Sequence, residues 1–576
     1  MMPRSKGAMN FRGFPQELWF LIAEQAVNSR DTSTLVLLAR LNRAMADFAL
    51  PRMYGIPYDP RQPTSEYRKY SHPDKQSVSF WRSVIVSSLG RTLYPYCCWI
   101  NTFDFSCLFL FLKGISKSEH VKLRQRFYSN PLRYLELLNT EIHNFHSVDG
   151  PGPHVLFCEL VTKITEGIKA TVDRGDVTSR LAKIIFPNLE YPPSIIYFPV
   201  WISRLTGLKA LHLRDARLLT DKAALALARN CPALQDFSCA IIAEEETENN
   251  LSTLLRSLPP NTLASFRVTR GIVHGQEILE ALDRHSGSLR RLVFAKLGPG
   301  ALSALNQLRN CNALEILSLG ASDVNADFDF ARSETAVYDQ CVEWLRGCYQ
   351  LKDLSLLRFP SGTQLLKDSL AGPKLRLKSL TLVEVGASAP WYHELHHQAK
   401  LECLEVHVPD LGLLALGPAS GRCQDLAAGI SRCPELTELH AEDYLSVGDI
   451  SKISEGALKL ERISFSGTLV HDEHLMPLAN LPRLKEVHIM GDSSFTASGI
   501  LRFFDKMEGN ADHDHRGFSF SAAFQQGTLF GLKEDMRLRE AAERAFGGNV
   551  TFTYVDSDGE DYYGERPNPN RFLGSP

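Results

Sequence analysis

One string in the chain has the composition of a catalytic centre. His393-Glu394-Leu395-His396-His397 satisfies HExxH, the pattern in which two histidines one helical turn apart bind zinc and the glutamate between them activates water. Its surroundings argue against that chemistry. The string falls in a return segment between strand-forming stretches that begin at Leu377 and Leu401, and Lys400 stands where the extended zinc-protease pattern needs glycine. Asp512-His513-Asp514-His515 could hold a metal loosely, but it sits in the polar stretch 509–517 and reads as a solvated loop. No Walker loop, GxGxxG or GxSxG is present, so nucleotide and acyl-transfer chemistry have no footing. The expectation is a protein without catalytic, cofactor-binding or metal-ligating residues.

What positions every side chain here is a recurring leucine pattern. Leu208-x-x-Leu211-x-Leu213 is echoed at Leu234/Phe237, Leu263/Phe266/Val268, Leu289/Leu292/Phe294, Leu314/Leu317/Leu319 and Leu351/Leu354/Leu356. It continues at Leu377/Leu380/Leu382, Leu401/Leu404/Val406, Leu436/Leu439, Leu460/Ile463/Phe465 and Leu484/Val487/Ile489, with Leu181/Ile184/Phe186 as its start. Successive starts lie roughly 24–29 residues apart, with two longer steps, which is the leucine-rich-repeat period. Each unit is one short strand plus one helix that cannot bury its apolar face alone. Stacked units share a core and expose a parallel strand ladder. The fold class expected is α/β: a leucine-rich-repeat solenoid, strands inside and helices outside, with a small N-terminal all-α domain.

Bulk properties agree with an interaction protein. Formal net charge is -3 over 576 residues, which implies no general attraction to nucleic acid or an anionic membrane. No apolar run of membrane-spanning length and no signal peptide is seen, so cytoplasm or nucleus is expected. Of 12 cysteines, Cys231, Cys311, Cys348 and Cys433 each precede a repeat's first leucine by the same step. A small, soft side chain reused at one place in several turns is a packing device.

Along the chain, 1–10 reads as a loose terminus, 11–54 as a helical domain and 55–78 as a polar, proline-containing linker. Residues 79–180 read as degenerate repeats, with Trp81, Val84 and Val86 on one strand and Leu132, Leu135 and Leu137 on another. The regular solenoid spans 181–555, interrupted by insertions at 321–340 and 409–425. Helix-like 531–546 and strand-like Val550–Val555 close its last turn, and 556–576 is an acidic, proline-rich tail.

The segment Phe14-Pro15-Gln16-Glu17-Leu18, then Ile22, then Leu35 to Leu41, then Arg43, closing at Pro51-Arg52-Met53-Tyr54, resembles an F-box. Phe14 replaces the usual opening leucine, Asn42-Arg43 replaces Cys-Arg, and the later tryptophan is missing. With Ser79 to Phe105 and the cysteine-bearing repeats behind it, the chain looks like the fungal F-box/leucine-rich-repeat proteins. That resemblance implies a substrate receptor of a cullin–RING ubiquitin ligase. Phe14, Pro15, Leu18, Ile22, Leu35, Leu38 and Leu41 would dock a Skp-family adaptor, and the repeats would hold a protein substrate. The alternative is a ligase-independent scaffold whose N-terminal hairpin only caps the solenoid.

Strand side chains alternate, so residues two, four and six after each first leucine point outward. Those positions yield a basic side (Arg214, Arg267, Arg291), an apolar floor (Val293, Ile316, Leu357, Val383) and an acidic side (Glu405, Glu438, Glu442). An apolar patch rimmed by charge marks an interaction site, for an external ligand or for the chain's own tail or 321–340 insertion. His212, His440 and His488 fall on the same outward face and read as surface side chains.

Overall fold

The structure is a computed structural model; it describes residues 16–29, 31–54, 71–134, 152–175, 177–188, 193–240, 245–322, 329–372, 374–385, 390–407, 421–441, 445–466, 470–510, 514–525 and 532–555. They form two compact units, the first comprising the described residues up to Cys239 together with Ser257–Pro259, the second Ala240–Arg256 and those from Pro260 on. The division falls inside the run of repeats expected to be one body.

In the first unit, three helices precede the ladder: α1 (Gln16–Asn28), α2 (Thr32–Ala39) and α3 (Arg43–Tyr54). Asp31 caps α2 by accepting from the Thr34 amide at 3.0 Å. Asn42 accepts from the Met45 amide at 2.9 Å at the start of α3. Ala23, Ala26, Leu35, Leu38, Met45 and Ala49 form the shared core, with Trp19 and Phe48 packed against it.

The linker expected over 55–78 ends early, because α4 (Lys75–Ser88) is already helical there. Asp74 caps it, accepting from the Ser77 amide at 2.6 Å. The strand expected at Trp81, Val84 and Val86 is therefore helix. Val78, Trp81 and Ile85 recur at helical spacing and are all buried, which satisfies the 3.6-residue period better than alternation. Leu132 lies in a turn rather than a strand; Leu135 and Leu137 fall outside the described residues.

The ladder of this unit is β1 (Thr102–Asp104), β2 (Lys183–Phe186), β3 (Ala210–Leu213) and β4 (Asp236–Cys239), all parallel and paired in chain order. Its core is aromatic. Phe105 packs on Phe186 at 5.1 Å between ring centroids, and Phe186 stacks on Trp201 at 5.9 Å.

The second unit carries eleven strands among the described residues: β5 (Ser265–Val268), β6 (Arg291–Leu297), β7 (Ile316–Ala321), β8 (Asp353–Leu357), β9 (Ser379–Val383), β10 (Cys403–His407), β11 (Glu438–Ala441), β12 (Arg462–Ser466), β13 (Glu486–Asp492), β14 (Ser519–Gln525) and β15 (Asn549–Val555). Each pairs in parallel with the next. The leucine positions read from the sequence are the buried ones: Leu292, Leu317, Leu354, Leu380, Leu404, Leu439, Ile463 and Val487 are each at most 1% exposed. Strand β14 was not foreseen, and the expected insertion at 321–340 contains helix Thr335–Gly347 from residue 335 onward.

Adjacent repeats approach closely. A β-carbon on Gly320 would lie 1.9 Å from the Ala295 carbonyl oxygen, and one on Gly456 would lie 2.0 Å from that of Ser431. Glycine is required at both for the rungs to nest. Among the described residues no helix is long and apolar enough to cross a membrane.

Candidate functional site

The repeat cysteines are buried as expected. Cys231, Cys311, Cys348 and Cys433 are each 0% exposed, and burial pushes their thiols up to about 11 for Cys231 and about 12 for the other three. They also bond. The Cys231 thiol donates to the Leu205 carbonyl at 3.3 Å and that of Cys348 to the Cys311 carbonyl at 3.6 Å, reaching the preceding repeat. Two polar residues take the same place in other repeats. Gln398 accepts from the Leu377 amide and donates to the Leu375 carbonyl, both at 2.9 Å. His515 lies 2.9 Å from the Leu484 carbonyl. The position therefore satisfies backbone groups as well as filling space.

The open face of the second ladder resolves into columns. The first runs Arg291, Ile316, Asp353, Ser379, Cys403, Glu438, Arg462 and Glu486. The second runs Arg267, Val293, Ser318, Ser355, Thr381, Glu405, His440, Ser464 and His488. A third brings Leu357, Val383 and His407 side by side. The expected floor is thus not one patch. Only Leu357 and Val383 are direct neighbours; Ile316 lies between Arg291 and Asp353, and Val293 between Arg267 and Ser318.

Two of the expected rim charges are not at a rim. Arg267 is 5% exposed and Glu405 8%, because neighbouring strands crowd the middle column. Glu405 accepts from Thr381 at 3.2 Å and lies 2.9 Å from His407. Arg291 and Glu438 are half-buried, and Glu438 is paired with Arg462. Glu442 falls outside the described residues. Burial raises the Asp353 carboxyl, partly offset by Arg291.

The histidines are also less open than expected. His212 is 5% exposed and 3.0 Å from Asp236. His440 and His488 are half-buried, and burial pushes both imidazoles below the ordinary range, against the upward pull of nearby Glu486.

The expected adaptor face divides. Leu35 and Leu38 are 0% and 4% exposed, consumed by the hairpin's own core, whereas Leu18, Ile22 and Leu41 are 40%, 38% and 41% exposed. Leu21 and Leu37, outside the expected adaptor-binding set, are also exposed. Phe14 and Pro15 lie outside the described residues. Helix α1 is thus apolar on two faces: Trp19, Ala23 and Ala26 turn inward, and Leu18, Leu21 and Ile22 turn to solvent. The opposite side of the hairpin is occupied. The Tyr54 hydroxyl is 2.9 Å from that of Ser83, the Tyr54 ring is 5.0 Å from that of Tyr96, and Arg180 donates to the Pro51 carbonyl at 3.2 Å.

The HExxH string folds as a 3-10 helix, Trp391–His397. At three residues per turn, positions four apart do not share a face, so the histidine pair of the zinc-protease pattern is not assembled.

Parallel strands stacked in repeat register, with alternate residues buried against return helices, define a leucine-rich-repeat fold. No protein-family model and no curated protein matches the chain. Among solved structures it is similar to a TLR13–ssRNA13 complex, at 11% identity and a TM-score of 0.29, over 69% of this chain and 44% of that one. It is also similar to the leucine-rich-repeat-containing protein LegL7 from Legionella pneumophila, at 12% identity and a TM-score of 0.25, over 68% of this chain and 95% of that one. The chain therefore spans less than half the length of the TLR13 chain it matches.

Proposed function

We propose that the chain is a substrate-recognition adaptor of a cullin–RING ubiquitin ligase, docking a Skp-family adaptor through α1 and α2 and a protein substrate through the open face of the second ladder. The observation that carries this reading is the double apolar character of α1. A surface helix needs one apolar stripe; a second one, at Leu18, Leu21 and Ile22, is accounted for by a partner. The F-box resemblance of the same segment supplies the partner's identity.

The test is reconstitution. Purified full-length chain is mixed with a recombinant Skp-family adaptor, and complex formation is followed by size-exclusion chromatography and calorimetry. A stable one-to-one complex supports the reading; no complex at tens of micromolar, roughly the weak end of specific association, rejects it.

A second reading is a ligase-independent interaction scaffold with a capping hairpin. It is favoured by the contacts that Pro51 and Tyr54 of α3 make with Arg180, Ser83 and Tyr96. Under that reading the outward leucines of α1 bind no adaptor and the ladder still captures protein.

A further inference from the structure

The 3-10 turn that dismantles the HExxH pair assembles a different one. Glu394, His396 and His397 each bring a ligand atom within 4.8 Å of the others. We propose that these three residues form a binding site for a borderline divalent transition metal, of which Zn²⁺ is the type. Two neutral imidazoles and one carboxylate match its ligand preference, with a fourth position left to water or a partner's side chain.

The geometry follows from the helix type. Glu394 and His397 are three apart, which a 3-10 helix eclipses, and the His397 Nε2 lies 3.8 Å from a Glu394 carboxylate oxygen. The imidazoles of His396 and His397 sit 3.7 Å apart between centroids. Bonds of ~2.0–2.2 Å put ligand atoms of a tetrahedral centre roughly 3.4 Å apart, so closing around an ion takes about 1 Å of side-chain movement. His396 Nδ1 is 2.6 Å from the His393 carbonyl oxygen. A carbonyl only accepts, so Nδ1 carries the proton and Nε2 keeps the lone pair a metal needs, the usual way an outer partner selects a ligating tautomer.

The turn that carries the trio is held on both sides. Trp391 and Leu395 are buried at 5% and 0% exposure, and Gln398 bonds the preceding repeat's backbone twice. A β-carbon on Gly429 would meet the Tyr392 carbonyl oxygen at 2.5 Å, so the neighbouring helix closes on it tightly. The three ligands themselves stay accessible: His396 is exposed, and Glu394 and His397 are half-buried.

Glu394 is here a ligand rather than the base of a hydrolase, so the site is for binding and not for water activation. It stands apart from adaptor docking and is tested apart from it. Chelator-treated full-length protein is titrated with ZnCl₂ by calorimetry and equilibrium dialysis, and with CoCl₂ for the visible spectrum of a four- or five-coordinate centre. Circular dichroism verifies the fold of each variant. The expected result is one equivalent of metal whose affinity falls roughly tenfold or more in His396→Ala and in His397→Ala. Glu394→Gln weakens it, and His393→Ala leaves it unchanged. The histidine at 393 separates this site from the zinc-protease arrangement: loss in His393→Ala with binding retained in His396→Ala overturns the proposal. Absence of any bound equivalent, or one equally held by all variants through the chain's other histidines, also overturns it.

Discussion

Truncation of the outward face of α1 separates docking from folding. Leu18 and Ile22 leave 40% and 38% of their surface exposed. Full burial of such a side chain is worth ~1.5–3 kcal/mol, so covering the remaining two-fifths adds about 0.6–1.2 kcal/mol at each. Replacing both with alanine removes roughly 1.2–2.4 kcal/mol of docking energy, or an ~8–60-fold rise in Kd. Leu35 is 0% exposed, so Leu35→Ala acts on the hairpin instead, at ~2–5 kcal/mol of stability. Calorimetry against a Skp-family adaptor, paired with a thermal melt, reads both. The double variant should lose affinity on a protein that still folds, whereas Leu35→Ala should lower the melt and keep adaptor affinity in its folded fraction. A Kd within about twofold of wild type for Leu18→Ala plus Ile22→Ala, measured on a folded protein, refutes docking through this face.

Three further outcomes are expected. Cys231, Cys311, Cys348 and Cys433 should resist a thiol reagent at mildly alkaline pH until denaturant is added, because buried thiols with raised pKa are inert; mass spectrometry showing prompt native labelling of all four contradicts their place in the core. His440 and His488 have depressed folded-state pKa values, so the unfolded chain takes up protons first as pH falls below the ordinary imidazole value of 6.5. The folded state loses stability from there down to the folded pKa and is unaffected above it. Melts from pH 8 to pH 5 should show a smaller drop for His440→Asn plus His488→Asn than for wild type, and equal drops refute the assignment. Finally, Leu357→Asp plus Val383→Asp should abolish substrate capture in a quantitative pull-down while the melt holds. Arg267→Glu should instead depress the melt, since it reverses a charge that sits at only 5% exposure; an unmoved melt would return Arg267 to the surface.

The ladder was legible because its signal is a spacing. Leucines three and five apart, returning every repeat, admit one arrangement in which all are buried. Depth on the open face was not legible. Alternation says which way Arg267 and Glu405 point, but how far neighbouring strands occlude them depends on the side chains one rung away. The same limit divided the hairpin. Leu35, Leu38 and Leu41 fit one helical stripe in the sequence, but α2 ends at Ala39 and leaves Leu41 in the turn beyond it, while Leu35 and Leu38 join Met45 and Ala49 of α3 in the core. At Trp81 the apolar residues fit two periods, and Asp74, three residues before Ser77, was the capping signal that favoured helix. For HExxH the residue types were plain, but the pattern presumes an α-helix, and a turn bounded by Pro390 and pinned by Gln398 adopts the tighter 3-10 form.

The fastening of α3 bears on reach. A hairpin hung on a slack tether would let whatever it carries sweep a wide volume, diluting each cargo in the other's neighbourhood. Tyr54 against Ser83 and Tyr96, with Pro51 bonded to Arg180, removes that slack within the first unit. A body held on α1 and any second body that approaches the β1–β4 ladder then meet at one separation and one angle. Their effective concentration is near its maximum when that geometry suits them and negligible when it does not. Loosening the Tyr54 contact would thus broaden the range of orientations open to a body on α1 without altering its outward leucines.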